Sequence, residues 1–265
     1  MSSPLPAASI IVPTYHEAAN IRPLVERVFS AIGGAGIEAE LIIVDDDSRD
    51  GTEDIVKSLA QHHPVRLVLR HGTRGLSAAV IEGFQQARFD RFVVLDADLQ
   101  HPPEMIPVLL RRLETDDCDF VIGTRYASGA GVDEHWPFLR RVASRIATWL
   151  AAPLMPLSDP MSGFFAIRRA TWQRASGLKP IGYKIGLELY VKGGCRRPAE
   201  IPIRFSARSA GTSKLSVSAQ LQYVRHLFRL YLFRFPLATL ATVLVLLAVF
   251  TALALVAASA APSDH

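Results

Sequence analysis

Cysteine is scarce in this chain of 265 residues: only Cys118 and Cys195 occur. They are far apart and lack metal-ligand spacing, which excludes a disulfide framework and a cysteine zinc site. Both read as reduced thiols of a cytoplasmic domain. Acidic side chains are nearly absent from residues 189–235, where nine Lys/Arg stand against the single acid Glu200. Residues 1–9 have no basic segment followed by an apolar run, which argues against a cleaved signal peptide. No internal repeat occurs, and the Ala-rich tail is the one compositionally biased tract. Several catalytic signatures are missing too. Gly72-Thr73-Arg74-Gly75-Leu76-Ser77 lacks both Gly-x-Gly-x-x-Gly and the Lys-Ser/Thr ending of a phosphate loop, which excludes dinucleotide binding and P-loop phosphoryl transfer. Asp46-Asp47-Ser48-Arg49-Asp50-Gly51 begins like a calcium-binding loop, but Lys57 stands where its bidentate Glu must be. No Ser-His-Asp or Cys-His arrangement is legible. Most of the eight histidines read as surface or loop residues, and His101 is a weak metal-ligand candidate on its own.

What is present is apolar and unevenly charged. Apolar residues make up 49% of the chain, ample for one large domain or two small ones. A mean hydropathy of +0.21 points to a lipid-facing part. The net charge of +4 conceals a mildly acidic remainder outside the basic segment. Basic charge just before an apolar run favours anionic lipid headgroups or lipid phosphates. Nucleic acid is disfavoured as a partner, because no recognisable nucleic-acid module accompanies the charge.

Val/Ile/Leu-rich strands are predicted at 8–12 (ended by Pro13), 41–44, 65–69 and 92–95. Helices at 18–32, from Asp50-Gly51-Thr52 to about Gln61, and at 76–87 separate them. Apolar strands without alternation, joined by helices, indicate a parallel sheet covered on both faces. Ligands of such sheets sit outside the carboxyl ends of the strands. Pro13-Thr14-Tyr15-His16-Glu17, Asp45-Asp46-Asp47 and Asp96-Ala97-Asp98 all fall there. Further along, the pattern predicts a helix at 104–113, a strand from Phe120 carrying Arg125 at its end, a loop at 129–131 and a helix at 138–151. A turn at 159–165 leading into a strand, a short helix at 187–191, a last strand at 199–205 and a loop at 206–218 follow.

Two C-terminal segments stand apart. Residues 217–235 place Leu221, Val224, Leu227, Phe228, Tyr231, Leu232 and Phe235 at helical spacing, with Arg225 and Arg229 stacked elsewhere. Such a helix either lies in the membrane interface or docks on the globular domain. Pro236 then precedes residues 237–258, which carry no charge. About 20 apolar residues suffice to span a bilayer core; a long buried soluble helix is the alternative. Arg225, Arg229 and Arg234 precede this run, so the positive-inside tendency places the large domain in the cytoplasm. The expected organisation is a catalytic domain at 1–215, an amphipathic interface helix at 216–235 and one transmembrane helix at 236–258.

The richest chemistry lies in Asp96-Ala97-Asp98-Leu99-Gln100-His101-Pro102-Pro103. A buried strand that ends in two carboxylates one residue apart is a mount for a hard divalent cation, which takes oxygen ligands and substrate phosphates. Such a cation would stabilise charge on a departing diphosphate. Gln100 could supply a neutral oxygen, directly or through water. The Asp46 tip suits a nucleoside, although some of its residues would only turn the chain and cap the next helix. Arg125, Arg140, Arg208 and Lys214 fall in loops or near element ends and suggest a site for a lipid-borne phosphate.

Taken in order, these motifs resemble those of the dolichol-phosphate (polyprenol-phosphate) mannose synthases, inverting family 2 glycosyltransferases with the GT-A fold. The resemblance runs from Ser9 to about Tyr231. It rests on Ile11-Val12-Pro13-Thr14-Tyr15-His16-Glu17, Asp45 to Thr52, Gly75 to Val80, Asp96 to Pro103, Gly123-Thr124-Arg125-Tyr126, Ser162-Gly163-Phe164 and Gly211-Thr212-Ser213-Lys214. It implies an α/β fold with a Rossmann-like mixed sheet flanked by helices. It also implies transfer of mannose from GDP-mannose to a dolichyl or polyprenyl phosphate with inversion. By this resemblance Pro13, Tyr15, Glu17, Val44 and Asp46 would hold the GDP moiety. Asp96, Ala97 and Asp98 would hold the diphosphate and a Mg²⁺ or Mn²⁺ ion, with Gln100 assisting. Arg125, Arg208 and Lys214, joined by Arg140, would contact donor or acceptor phosphates. Asp98, Arg125 and Arg208 would carry catalysis. His16 replaces a common Asn, and Thr212 replaces an acidic residue in what would be the acceptor loop. The chain has room for one C-terminal span where some prokaryotic relatives carry several. A phosphate monoester, with its second pKa of about 6, is mostly dianionic at neutral pH and needs no general base. Displacement would then be dissociative and oxocarbenium-like. A different sugar, such as glucose or an aminoarabinose, and a non-catalytic nucleotide-sugar binder remain alternatives at this point.

Overall fold

The computed structural model describes residues 6–115, 117–128, 130–132, 138–179, 181–182, 184–206 and 217–259, with side chains left out at 132, 138–144, 217–219, 250 and 252–259. Four strand–helix units open the chain. They are β1 (Ala8–Thr14), α1 (Ala18–Gly34), β2 (Ala39–Asp45), α2 (Thr52–Leu59), β3 (Val65–Leu69), α3 (Leu76–Gln86), β4 (Arg91–Val94) and α4 (Ile106–Leu113). Then come β5 (Phe120–Thr124), β6 (Gly131–Val132), α5 (Phe138–Ala151), β7 (Phe165–Arg168), α6 (Arg169–Arg174), α7 (Ile185–Lys192), β8 (Pro198–Pro202) and β9 (Arg204–Phe205). The helices α8 (Val217–Arg234) and α9 (Pro236–Ser259) follow.

One seven-stranded sheet has the order β3-β2-β1-β4-β7-β5-β8. β1 pairs in parallel with β2 from Ala8↔Ala39 to Thr14↔Asp45, and with β4 from Ala8↔Arg91 to Ile11↔Val94. β1 and β2 are buried along their whole length, because helices cover both faces. On one face Ile10, Val12, Leu41 and Ile43 pack with Leu24 and Val28 of α1. On the other Ile11, Ile42 and Val44 pack with Val80 and Phe84 of α3. Gly83 sets the approach of α3: a Cβ there would lie 2.4 Å from Ile11 Cγ2.

The structure corrects several expectations. The sheet is mixed, as the family resemblance implies, whereas the strand pattern alone read as parallel: β7 runs antiparallel to both β4 and β5. A doubly buried strand reads as an apolar run in either direction, so composition carries no sign of the reversal. Pro13 lies inside β1 rather than ending it; it falls past the last β1–β4 pair, where no ladder bond needs its missing N–H. The strand expected at 199–205 is two strands, and β9 pairs with β6 where a loop was expected. α1 continues through Gly33-Gly34, and α6 was not foreseen. Most of the loop at 206–218 lies outside the described residues.

α8 packs on the globular domain through Tyr223, Leu227 and Leu230. The Tyr223 and Tyr231 hydroxyls donate to the Ala147 and Leu150 carbonyls of α5, each at 2.7 Å. Outside this seam Leu221, Val224 and Phe228 of α8 and Ile146 and Trp149 of α5 are exposed. Among the described residues no helix is long and apolar enough to cross a membrane.

Candidate active site

The carboxyl edge of the sheet gathers the strained backbone of the molecule. Among the described residues four non-glycines have left-handed φ: His16 (58°), Asp47 (54°), Arg49 (53°) and Leu99 (60°). They occupy the loops after β1, β2 and β4. Such residues cost on the order of 1–3 kcal/mol each and cluster at functional sites.

Short hydrogen bonds lock the β1 and β2 tips together. Buried Asp45 accepts from Thr14 Oγ1 (2.8 Å), Ser48 N–H (2.7 Å) and Ser48 Oγ (2.6 Å). Ser48 Oγ in turn accepts the His16 N–H at 2.8 Å. Asp50 takes the Ala18 N–H at 3.1 Å and the Thr52 hydroxyl at 2.8 Å. Burial pushes the Asp50 carboxyl up, but these hydrogen bonds outweigh it and hold it below its ordinary value. Asp45 and Asp50 are thus braces. Asp46 faces the loop after β3: its carboxylate accepts the Gly75 N–H at 2.7 Å and pairs with Arg70. Arg74 donates to Tyr15 Oη at 2.6 Å and to the Asp46 carbonyl at 3.2 Å. Glu17 accepts from Asn20 Nδ2 at 2.7 Å in the first turn of α1. Pro13 and Val44 are register partners, and the Val44 side chain belongs to the core.

The β4 tip carries the paired carboxylates. Asp98 is 6% exposed and accepts the Gln100 N–H at 3.2 Å, while the Asp96 side chain is 35% exposed. Ala97 is buried between them. Gly163 faces Asp96: a Cβ there would lie 3.2 Å from both carboxylate oxygens, so glycine keeps that approach open. Gln100 Nε2 donates to the Ser206 carbonyl at 3.1 Å. His101 is buried, with Phe164 stacked at 5.4 Å and Phe205 edge-on at 5.3 Å. Its Nδ1 accepts the Asp96 N–H at 3.3 Å. Burial pushes its pKa down to about 4, so the ring is neutral and can accept. His226 is buried as well. Among the described residues no group of three or more His, Cys, Asp or Glu gathers to hold a metal ion.

A fixed cation stands beside this tip. Arg125 forms a two-pronged ion pair with fully buried Asp159, Nε to Oδ2 at 2.7 Å and Nη2 to Oδ1 at 2.8 Å. Burial disfavours the Arg125 charge, but Asp159 outweighs it and raises the pKa. The guanidinium lies 5.1 Å from the Phe205 ring centroid. Lys184 Nζ donates to the Met161 carbonyl at 2.6 Å; burial, with Arg125, pushes its pKa down to about 8 against the pull of Asp159 and Asp96. Sequence reasoning missed Asp159, Lys184, Arg70 and Arg74. Placement of the 70–75 and 159–163 turns at this edge was the signal available for three of them; Lys184 had none. The Arg140 side chain, Arg208 and Lys214 lie outside the described residues.

The sequence model of a family described as "Glycosyl transferase family 2" matches residues 9–176. The chain is 43% identical over 256 residues to a dolichol-phosphate mannosyltransferase of Mycosarcoma maydis, covering 94% of this chain and 87% of that protein. It is 44% identical over 236 residues to the dolichol-phosphate mannosyltransferase of Saccharomyces cerevisiae, covering 86% and 88%. Among solved structures, glucosyl-3-phosphoglycerate synthase from Mycobacterium tuberculosis in complex with Mn²⁺, UDP and glucosyl-3-phosphoglycerate shares the fold. Its TM-score is 0.61 at 20% identity, over 86% of this chain and 79% of that one.

Proposed function

The chain belongs to glycosyl transferase family 2, and on that footing we propose that it transfers mannose from GDP-mannose to a dolichyl or polyprenyl phosphate with inversion. The observation that carries this reading is the edge itself: Asp96 and Asp98 stand beside the buried Arg125–Asp159 pair, on the same side of the sheet as Tyr15 and Asp46. The relatives' shared name supports the sugar and the lipid class.

Pro13, Tyr15, Glu17, Val44 and Asp46 hold the nucleoside in this reading, Val44 through its backbone. Asp96 and Asp98 suit a hard cation, because both are oxygen donors and Gly163 leaves room at the Asp96 carboxylate. Two protein carboxylates are enough where substrate phosphates complete the shell. When bound, Mg²⁺ or Mn²⁺ neutralises the leaving diphosphate; Gln100 and Ala97 border it. Arg125, locked by Asp159, presents a positive charge that needs no rearrangement when phosphates arrive. Arg140, Arg208 and Lys214 are proposed to bind the acceptor phosphate. That phosphate is itself the nucleophile, so the site requires alignment rather than a base.

The membrane reading rests on the sequence of residues 237–258, which carry no charge. Ile146, Trp149, Leu221, Val224 and Phe228, interspersed with Arg145 and Arg225, form a surface suited to the lipid interface. The catalytic domain then lies on the cytoplasmic side. Membranes containing the protein are incubated with labelled GDP-mannose, UDP-glucose or UDP-mannose, a divalent cation and polyprenyl phosphate. Label from GDP-mannose alone enters the organic phase. Label that stays aqueous, or follows a UDP sugar, refutes the assignment.

A further inference from the structure

Arg74 bridges the two strand tips that border the nucleoside side of the edge. Its Nη1 donates to Tyr15 Oη at 2.6 Å, its Nε donates to the Asp46 carbonyl at 3.2 Å, and its guanidinium carbon lies 4.4 Å from the Tyr15 ring centroid. Both hydrogen-bond partners are neutral and Arg74 is exposed, so exchanging one of them for another acceptor costs little. Arg70, two positions before Gly72, is differently placed: it pairs with the Asp46 carboxylate and reaches the Thr73 carbonyl at 3.3 Å. The tip therefore presents a carboxylate acceptor, Asp46, and a forked donor, Arg74, near an aromatic ring, Tyr15.

We propose, on the nucleotide-donor reading above, that Arg74 selects the donor's base, taking guanine by its O6 and N7 acceptors against Tyr15. The planar pair of guanidinium N–H groups matches two adjacent acceptors on one purine edge. The neighbouring N1–H and N2–H groups of guanine are donors, which suits the Asp46 carboxylate, an acceptor with lone pairs beyond its bonds to Arg70 and Gly75. Adenine turns an amino donor toward the guanidinium. Uracil offers one carbonyl and no second acceptor where N7 lies. Tyr15 supplies a stacking face for any base, so preference falls to Arg74.

The test is calorimetric titration of the full-length protein, in detergent with Mn²⁺, using GDP, UDP and ADP as ligands. Wild type binds GDP more tightly than UDP or ADP. Arg74→Ala weakens GDP by about tenfold or more, the loss expected for a bidentate base contact, and leaves UDP within about twofold. Arg74→Lys keeps the charge but not the fork, and also loses affinity for GDP selectively. Arg111→Ala, an exposed arginine on α4, leaves all three affinities unchanged. Equal loss of GDP and UDP in Arg74→Ala, or unchanged GDP affinity, overturns the assignment. A wild type that prefers UDP overturns the guanine selection and GDP-mannose as the donor, and leaves a nucleotide-sugar transferase standing. A wild type that binds no nucleotide overturns the donor reading with it.

Discussion

Removal of Asp159 gives the sharpest measure of how the cationic side of the site is built. Asp159 is 0% exposed, and it accepts three bonds from Arg125, including the backbone N–H at 3.2 Å. In Asp159→Ala the guanidinium stays inside and loses its two-pronged counter-charge. Breaking a buried pair from one side costs about 3–5 kcal/mol. For a domain of this size each kcal/mol lowers Tm by about 2–4 °C, so a fall of about 6–20 °C is expected in a thermal scan. The companion variant Arg125→Met removes the charge and keeps the volume, and Asp159→Ala on that background should cost much less. The double-mutant cycle therefore yields a coupling of several kcal/mol. A single-variant Tm within about 2 °C of wild type, or additive effects in the cycle, refutes the claim that Asp159 holds Arg125 in place. Mannosyl transfer should fall in both single variants, because Arg125 is then either misplaced or gone.

Asp98→Ala should lower transfer at least 100-fold, on the order of the loss seen when one electrostatic stabiliser is removed, with an unchanged far-UV CD spectrum; near-normal turnover refutes the cation assignment. Gly83→Ala places a Cβ 2.4 Å from Ile11 Cγ2 and should destabilise by about 1–3 kcal/mol; chemical denaturation measures it, and Ile11→Ala on the same background should recover part of the loss. Burial holds His226 below its ordinary 6.5, so the unfolded chain binds a proton that the folded one refuses. Stability should therefore decline as pH falls below about 6.5. His226→Leu should flatten that slope in denaturation curves taken between pH 7 and 5, and an unchanged slope refutes the role of this residue.

The strands and their carboxyl tips were legible because Val/Ile/Leu runs mark doubly buried strands, and because Thr14, Asp45 and Asp96 follow those runs directly. Asp96 and Asp98 were legible for the same reason, with Pro102-Pro103 closing the segment. Direction was not legible: Phe165-Ala166-Ile167 reads as a buried strand either way, so β7 entered the expectation with no sign. Partnership was equally hidden. Asp159 lies 34 residues from Arg125, and Lys184, just before α7, meets the Met161 carbonyl 23 residues away. Nothing in the local pattern of either residue announces the contact. The burial of His101 had no local signal, because it comes from Phe164 and Phe205, both distant in sequence.

The reversal of β7 has a geometric result. β4 and β5 flank it and point the same way, so both deliver their last residues to the ligand edge, while β7 begins there. The turn from Asp159 to Phe164 therefore enters the edge as an inlet between two outlets. The pairs Val94↔Phe165 and Ile122↔Phe165 anchor the reversed strand just past it. One inlet thus carries both Asp159, which grips Arg125, and Gly163, which clears the Asp96 carboxylate, so a change of composition there is felt on the cationic side and at the cation mount together.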